Sequence, residues 1–168
     1  MKPVYDRNGE PLEILGEDFL VFSLGGYPYG MDYSLVAELR HFDPGAVDGV
    51  EGAPAFVKGS GYLSGVQVPL IDLGAKLGAA PMQPTALSGI VFATIRGEPV
   101  GLVVDSIRGV TIQQSDRIGE APTSDPIVPA SALLGLGQVG ADPIVLVDVA
   151  KLFTGEEMAA TRARASVI

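Results

Sequence analysis

The sequence contains no cysteine and no tryptophan, and it has a single histidine, His41. Without cysteine the chain can form neither a disulfide framework nor a thiolate nucleophile, and zinc sites with cysteine ligands are excluded. One histidine also excludes a metal site built from several histidines of one chain, and any mechanism that needs two of them. We therefore expect no metal site and no cofactor.

Basic residues and long apolar runs are scarce as well. The chain has 11 lysines and arginines against 20 aspartates and glutamates, which gives a net charge of −9. Such a surface repels nucleic-acid phosphates and anionic lipids, so we expect no nucleic-acid partner. The longest apolar runs, such as residues 144–147, are far shorter than the ~20 residues of a membrane-spanning helix. Residues 1–7 show no secretion signal, and we expect a cytoplasmic protein with no direct membrane insertion.

Glycine and proline are abundant by contrast, with 22 and 13 residues in a chain of 168 that is 47% hydrophobic. A chain of this length and apolar content can bury a sizeable core, in one domain or in two very small lobes. The glycines and prolines stand singly between short apolar runs. This spacing is typical of short strands joined by turns, so we predict a mainly β fold.

The apolar runs predict many strands and few helices. A short helix is predicted at residues 35–41, where Val36 and Leu39 have helical spacing and Asp32 can cap the first turn. A C-terminal helix is predicted from about residue 149 to residue 164. The strands are predicted at residues 19–24, 27–31, 62–63, 66–71, 89–95, 100–104, 107–112, 128–134 and 144–147.

Residue patterns of the first half of the chain recur in the second half in the same order. Three matches at nearly one offset indicate two similar lobes. Lobes of roughly 70 residues suit small SH3-like barrels of about five strands, packed side by side with a cleft between them. The predicted organisation is an N-terminal arm at 1–18, one domain at 19–153 with lobes at about 19–80 and 89–148, and a helical tail at 154–168. The matching pairs are Val21-Phe22 with Val91-Phe92, Gly26-x-Pro28-x-Gly30-Met31 with Gly97-x-Pro99-x-Gly101-Leu102, and Asp72 with Asp148.

Three groups of residues have a chemical interpretation beside a structural one. Residues 135–140 have the G-x-G-x-x-G pattern, but a dinucleotide site must open a helix, and an apolar strand follows, so we predict a hairpin turn. Asp72 and Asp148 precede a helical turn in both repeats, which favours helix caps over acid–base catalysis. Glu38 and Arg40 fit either a solvated helix face or a charged patch that sets the register of a partner helix. A small carboxylate-based enzyme and a ligand-binding module in the cleft stay open as alternatives.

Several segments taken together resemble the CheW-like domains. Each motif is apolar and loose, but their order and spacing are specific, and the resemblance extends over residues 19–153. The segments are FLVFSLGGYPYGMD (19–32) with Val36-x-Glu38-Leu39-Arg40, Pro54-x-Phe56-x-x-Gly59 with Gly65-x-x-Val68-Pro69-Leu70-Ile71-Asp72-Leu73, Val100-Gly101-Leu102-Val103-Val104-Asp105-Ser106, and IVLVDVAKL (144–152).

The resemblance implies a fold of two small β-barrels around a hydrophobic junction, and a non-enzymatic role with no catalytic residues. CheW-like proteins are adaptors in bacterial chemosensory arrays, which signal through two-component systems. They couple the cytoplasmic tip of methyl-accepting chemoreceptors to the regulatory domain of the histidine kinase CheA. The resemblance therefore implies these two partners, and a cytoplasmic protein associated with membrane receptor arrays through them.

The resemblance also implies contact residues. The groove that receives the receptor's helical hairpin is expected at Val36, Glu38 and Leu39. The turn that supports this groove and the neighbouring kinase contact is expected at Gly59, Tyr62, Leu63, Ser64 and Gly65. The family's common N-L-R-G segment reads here Tyr62-Leu63-Ser64-Gly65, so the asparagine and the arginine are both replaced. Because serine cannot fork to a carboxylate as arginine does, the replacement indicates a divergent member.

Overall fold

The computed structural model of the chain describes residue 8 and residues 16–46 and 56–154. Within them, ten strands form two five-stranded sheets, joined by 3-10 turns and one short helix, which confirms the predicted mainly β fold. Where a C-terminal helix was predicted from residue 149, the structure has only a 3-10 turn, Val149–Leu152, and Phe153 is extended, so the helix prediction is wrong over these residues. The rest of the predicted helix, beyond residue 154, lies outside the described residues, as does most of the predicted arm at 1–18. The elements are β1 (Gly16–Leu24), β2 (Tyr27–Asp32), β3 (Val36–His41), β4 (Val57–Leu63), β5 (Val66–Asp72), α1 (Leu73–Lys76), β6 (Gly89–Ile95), β7 (Glu98–Val104), β8 (Ser106–Gln114), β9 (Leu133–Val139) and β10 (Asp142–Val147).

Each sheet forms one lobe, and the two lobes share one strand arrangement. Lobe A has the order β8-β1-β2-β10-β9, and lobe B has the order β3-β6-β7-β5-β4. Neighbouring strands are antiparallel except that β2 runs parallel to β10 in lobe A, and β5 runs parallel to β7 in lobe B. Strands β1–β5 thus correspond one by one to β6–β10, so the repeat in the sequence is a structural repeat.

The lobes are not consecutive halves of the chain, which corrects the predicted lobes at 19–80 and 89–148. Strands β1 and β2 pair with β8 and β10 from the second half, whereas lobe B is built from residues 36–104. Each repeat therefore gives its first hairpin to one lobe and its other three strands to the other lobe. The order of the motifs could not show this exchange, because strand pairing between distant segments leaves no local pattern in a sequence.

A glycine faces a leucine at the parallel strand pair of each lobe. Gly101 lies opposite Leu70 in lobe B, and Gly30 lies opposite Leu146 in lobe A. A Cβ atom added at Gly101 would lie 2.5 Å from Leu70 Cδ2, and one added at Gly30 would lie 3.0 Å from Leu146 Cδ2. The missing side chain leaves the space that the leucine fills, which explains why the second glycine of the Gly-x-Pro-x-Gly pattern recurs.

One apolar core lies between the lobes and draws residues from both. Successive side chains of β1 point to opposite faces, so that Leu20 and Phe22 enter this junction while Phe19 and Val21 enter lobe A itself. These side chains fill the junction, and a cavity of about 440 Å³ among the described residues is lined by residues of both lobes. Buried junction residues include Leu20, Phe22 and Met31 of lobe A with Ile71, Val91 and Leu102 of lobe B.

Two cations of lobe B hold the segment that follows β10 of lobe A. Lys76 Nζ donates a hydrogen bond to the Leu152 carbonyl at 3.2 Å. Arg96 Nε donates to the carbonyls of Ala150 and Phe153, at 3.1 Å and 2.6 Å. The last described residues therefore connect the two lobes.

A buried tyrosine anchors the loop between β8 and β9. The Tyr29 hydroxyl donates to Asp125 Oδ2 at 2.8 Å, and the same oxygen accepts the amides of Ile127 and Val128. Burial, together with the hydrogen bond to this carboxylate, raises the pKa of Tyr29 well above its usual value of 10.0. The hydrogen bonds of Asp125 thus join the β8–β9 loop to β2.

Candidate functional site

The segment predicted to contact the receptor is a strand, which shows that the helix predicted at 35–41 is wrong. Asp32 does cap, since its Oδ1 accepts the Ser34 amide at 2.9 Å, but it caps only the 3-10 turn Tyr33–Leu35. From there β3 pairs with β6, with Glu38 opposite Phe92. The backbone N–H and C=O groups on this edge of β6 thereby gain hydrogen-bond partners, which a helix at residues 35–41 could not supply.

Strand β3 presents an apolar and a charged part. Val36 is half-buried against the junction core, whereas Leu39 is 38% exposed. Glu38 and Arg40 lie two residues apart and form an ion pair. The two side chains are therefore neither a solvated helix face nor independent charges, and they act as one neutral pair on the surface of lobe B.

The turn predicted from the resemblance is the tip of the β4–β5 hairpin. Ser64 and Gly65 have φ angles of 50° and 79°, as a two-residue hairpin turn with left-handed residues requires. Beside them Tyr62 is 51% exposed and Val66 is 58% exposed. The tip thus offers large apolar surface to the solvent, while Gly59 lies buried within β4.

Arg40 brings the two predicted segments together. Its Nη1 atom donates to the Tyr62 carbonyl at 2.6 Å, and its guanidinium carbon lies 4.7 Å from the centre of the buried Phe92 ring. Strands β3 and β4 stand at the two ends of the sheet order of lobe B, so this hydrogen bond crosses the seam between the two outer strands. The contact of Arg40 with Tyr62 depends on how these distant strands meet, and no local pattern in the sequence indicates it.

Lobe A closes in a corresponding way, through a glutamine. Gln113 Nε2 donates to the Gln138 carbonyl at 2.8 Å, and Gln113 Oε1 accepts the Gln138 amide at 3.0 Å. The side-chain amide of β8 thereby pairs with the edge of β9 as a strand backbone would. Near this seam lies a cavity of about 390 Å³, whose lining includes the exposed Val110 and Val139 together with the charged Arg108 and Asp142.

The glycine-rich segment 135–140 is mostly strand, and only its end is the predicted turn. Gly135 and Gly137 lie within β9, Gly140 has a φ of 62° in the β9–β10 turn, and a strand follows instead of a helix. A Cβ at Gly135 would lie 2.8 Å from the Gly119 carbonyl oxygen, and one at Gly137 would lie 2.8 Å from Gln113 Oε1. Close approach of neighbouring groups therefore accounts for these two glycines. The strand predicted at 128–134 begins only at Leu133, after a 3-10 turn.

The two aspartates that the repeat made equivalent have different roles. Asp72 is buried, and its Oδ1 accepts the Ala75 amide at 3.2 Å while its Oδ2 accepts the Met82 amide at 2.9 Å. The predicted cap is therefore confirmed at Asp72. Asp148 makes no capping hydrogen bond with its side chain, so the same prediction is wrong there.

The described residues hold no group of three or more His, Asp or Glu side chains placed to bind a metal ion. His41 is exposed at the end of β3. None of the helices in the described part of the chain has the length and apolarity needed to span a bilayer.

Comparison with known proteins gives one family. Residues 18–157 match the model of the CheW-like domain. The chain is 35% identical over 147 residues to the chemotaxis protein CheW of Klebsiella aerogenes, which covers 88% of this chain and 87% of that protein. It is 27% identical to a probable chemotaxis protein CheW of Rhizobium etli, over 83% of this chain and 89% of that protein. The crystal structure of the scaffolding protein TtCheW from Thermoanaerobacter tengcongensis is similar with a TM-score of 0.74 and 25% identity, over 86% of this chain and 98% of that one.

Proposed function

The chain belongs to the CheW-like domain family, and on that premise we propose that it couples chemoreceptors to a histidine kinase. The family assigns it the role of a non-enzymatic scaffold in chemotaxis. The finer proposal concerns its partners, which are the cytoplasmic tip of methyl-accepting chemoreceptors and the regulatory domain of a CheA-type kinase. Through them the protein would be cytoplasmic and held at membrane receptor arrays.

The observation that carries the proposal is the contact between β3 and the β4–β5 tip, the two segments that hold the expected contact residues. Leu39, Tyr62 and Val66 are each more than a third exposed, although such large apolar side chains are costly to leave in water. The Arg40–Tyr62 hydrogen bond joins the two segments that carry them. Exposed large apolar side chains are typical of protein–protein contacts, in which a few such side chains supply most of the binding energy.

We assign the receptor's helical hairpin to the β3 side, at Val36, Glu38 and Leu39. We assign two roles to the hairpin tip at residues 62–65 with Gly59 in β4, which are the support of this receptor groove and the neighbouring kinase contact. Both assignments lie on lobe B. The Arg40–Tyr62 hydrogen bond joins the strand that carries the first to the hairpin that carries the second, so the two partners would bind next to each other, as a coupler requires.

A binding experiment with Glu38→Lys tests the proposal. The change replaces the anion of the Glu38–Arg40 pair by a second cation, so binding of a receptor-tip fragment should weaken while the kinase regulatory domain still binds. The melting temperature should stay nearly unchanged, because a half-exposed ion pair contributes only about 0–1 kcal/mol. Glu120→Lys makes the same charge change at an exposed residue of the β8–β9 loop and should leave both affinities unaltered.

Two results would contradict the proposal. If the wild-type chain bound neither the receptor fragment nor the kinase domain at high micromolar concentration, the proposed coupling role would be refuted. If Glu38→Lys left receptor binding unaltered, the receptor contact would lie elsewhere on the molecule.

A further inference from the structure

We propose that Arg40 is a positioning residue that holds the β4–β5 tip in the orientation in which the partner-binding surface is complete. The inference rests on the proposed function for its binding part, but not for its structural part. Arg40 then has a role beyond its ion pair, since its guanidinium holds the hairpin tip at residues 62–65 in a fixed position relative to β3.

The first argument is the place of the hydrogen bond in the sheet. Strands β3 and β4 are the outermost strands of lobe B, and among the described residues no strand ladder joins them. The Arg40 Nη1–Tyr62 carbonyl bond crosses this gap at 2.6 Å, a short distance as expected for a charged donor. The backbone of the hairpin tip is therefore tied to β3 by a side chain.

The second argument is that the guanidinium is held on three sides. Glu38 pairs with its Nε, the Phe92 ring lies under its central carbon, and the Tyr62 carbonyl accepts from Nη1. A planar guanidinium can satisfy a carboxylate, an aromatic face and a carbonyl at once, whereas the single ammonium of lysine cannot. Phe92 is buried in lobe B, so one face of the guanidinium rests on the core, although the Arg40 side chain is 41% exposed.

The third argument concerns what the tip would do without this bond. The turn itself is made of Ser64 and Gly65, which are both exposed, and Tyr62 points a half-exposed ring outward. The tip is stabilised by its own ladder, by Leu63, which packs against the buried core of lobe B, and by the Arg40 bond. Loss of the Arg40 bond should therefore let the tip move relative to β3 while the core of the lobe stays intact.

A partner-free experiment tests the structural part. We would measure ¹⁵N relaxation and amide hydrogen exchange of residues 62–66 in wild type, Arg40→Ala, Arg40→Lys and Arg96→Ala. Arg96 is the matched control, since it also donates to backbone carbonyls, but those of Ala150 and Phe153. Arg40→Ala should raise the mobility and the exchange rates at residues 62–66, with an intermediate effect for Arg40→Lys and none for Arg96→Ala. Unchanged tip amides in Arg40→Ala would overturn the proposal.

A binding experiment tests the functional part. Arg40→Ala should weaken binding of the receptor-tip fragment by about tenfold or more, the loss expected for one hydrogen bond with a charged donor. Arg96→Ala should change it less than about twofold, even where both variants lose similar stability. Tyr62→Ala should weaken binding of the receptor-tip fragment when it is the only change. Added to Arg40→Ala it should have little further effect, because the hairpin tip is then already displaced.

The outcomes separate the two proposals. If wild type fails to bind the receptor fragment, the proposed function falls, while the relaxation data still decide whether Arg40 positions the tip. If wild type binds and Arg40→Ala binds equally well, the proposed function stands and the positioning role is refuted. Additive effects of Arg40→Ala and Tyr62→Ala would also refute it, because they would show two independent contacts.

Discussion

Replacing Asp72 by alanine should reduce the free energy of unfolding by roughly 2–4 kcal/mol, well above the cost of losing a helix cap alone. The cap on the Ala75 amide contributes about 1 kcal/mol. The Met82 amide is the larger loss, because it is a buried donor whose partner is Asp72 Oδ2, and leaving such a group without an acceptor costs about 1–3 kcal/mol. The carboxylate is only 2% exposed, so little water can replace it.

Asp148→Ala provides the internal control for this prediction. Asp148 occupies the equivalent position of the repeat but caps nothing with its side chain, so its loss should cost no more than about 0.5 kcal/mol. Urea unfolding at neutral pH would measure both variants. Since about 1 kcal/mol lowers the melting temperature by about 2–4 °C in a chain of this size, Asp72→Ala should melt roughly 4–16 °C lower than wild type.

The comparison can refute the reasoning in two ways. Equal losses in the two variants would mean that the hydrogen bonds of Asp72 are not what distinguishes the repeats. A loss below about 1 kcal/mol in Asp72→Ala would mean that the Met82 amide finds another acceptor. Asp72→Asn, which keeps one carbonyl oxygen but turns the other acceptor into a donor, should lie between wild type and alanine.

Three further predictions concern other parts of the fold. Tyr29→Phe should reduce the free energy of unfolding by about 1–3 kcal/mol through loss of the hydrogen bond to Asp125. Because the pKa of Tyr29 is raised in the folded state, the stability of the wild type should fall as the pH rises above about 10, where tyrosine in the unfolded chain ionises first. Urea unfolding midpoints measured from pH 9 to 11.5 should therefore fall less steeply in the variant than in the wild type. Gly101→Ala should reduce the free energy of unfolding by about 1–3 kcal/mol, because the added methyl group collides with Leu70. A thermal melt indistinguishable from that of the wild type would show that the core can rearrange around this methyl group without loss of stability. Gln113→Ala removes both side-chain hydrogen bonds to β9, so amide exchange should become faster in β9 and not in β10. An equal change in the exchange rates of β9 and β10 would show that Gln113 does not hold β9 at the seam.

Local patterns in the sequence predicted most strands of the fold. The runs that became β6 and β7 are separated by the Arg96-Gly97 turn, as their apolar residues and that dipeptide predicted. Residues 35–41 misled the prediction, because Val36 and Leu39 fit helical spacing and the bulge between Val36 and Glu38 interrupts the alternation of a strand. Pairing with β6 then decides the conformation, and that partner is about fifty residues away in the chain.

The candidate site shows the same division between local and distant information. Residues 36–39 and 62–65 were placed by their motif resemblance, and the structure shows that Arg40 connects them. Nothing in the sequence near Arg40 indicates a bond to Tyr62, because it forms only where the first and last strands of a sheet meet. The exchange of hairpins between lobes was hidden for the same reason, since it changes which strands pair without changing any motif.

The exchange of hairpins also sets the order in which the molecule can be completed during synthesis. All strands of lobe B have been made once residue 104 has left the ribosome, whereas the β1–β2 hairpin, which is made first, must wait for residues up to 147 before its own sheet can form. In the meantime Leu20, Phe22 and Met31 can already dock on Val91 and Leu102, their neighbours in the shared core. The nascent hairpin thus has a cover for its apolar face. A cut at residues 79–88, between α1 and β6, would divide lobe B instead of separating two independent units.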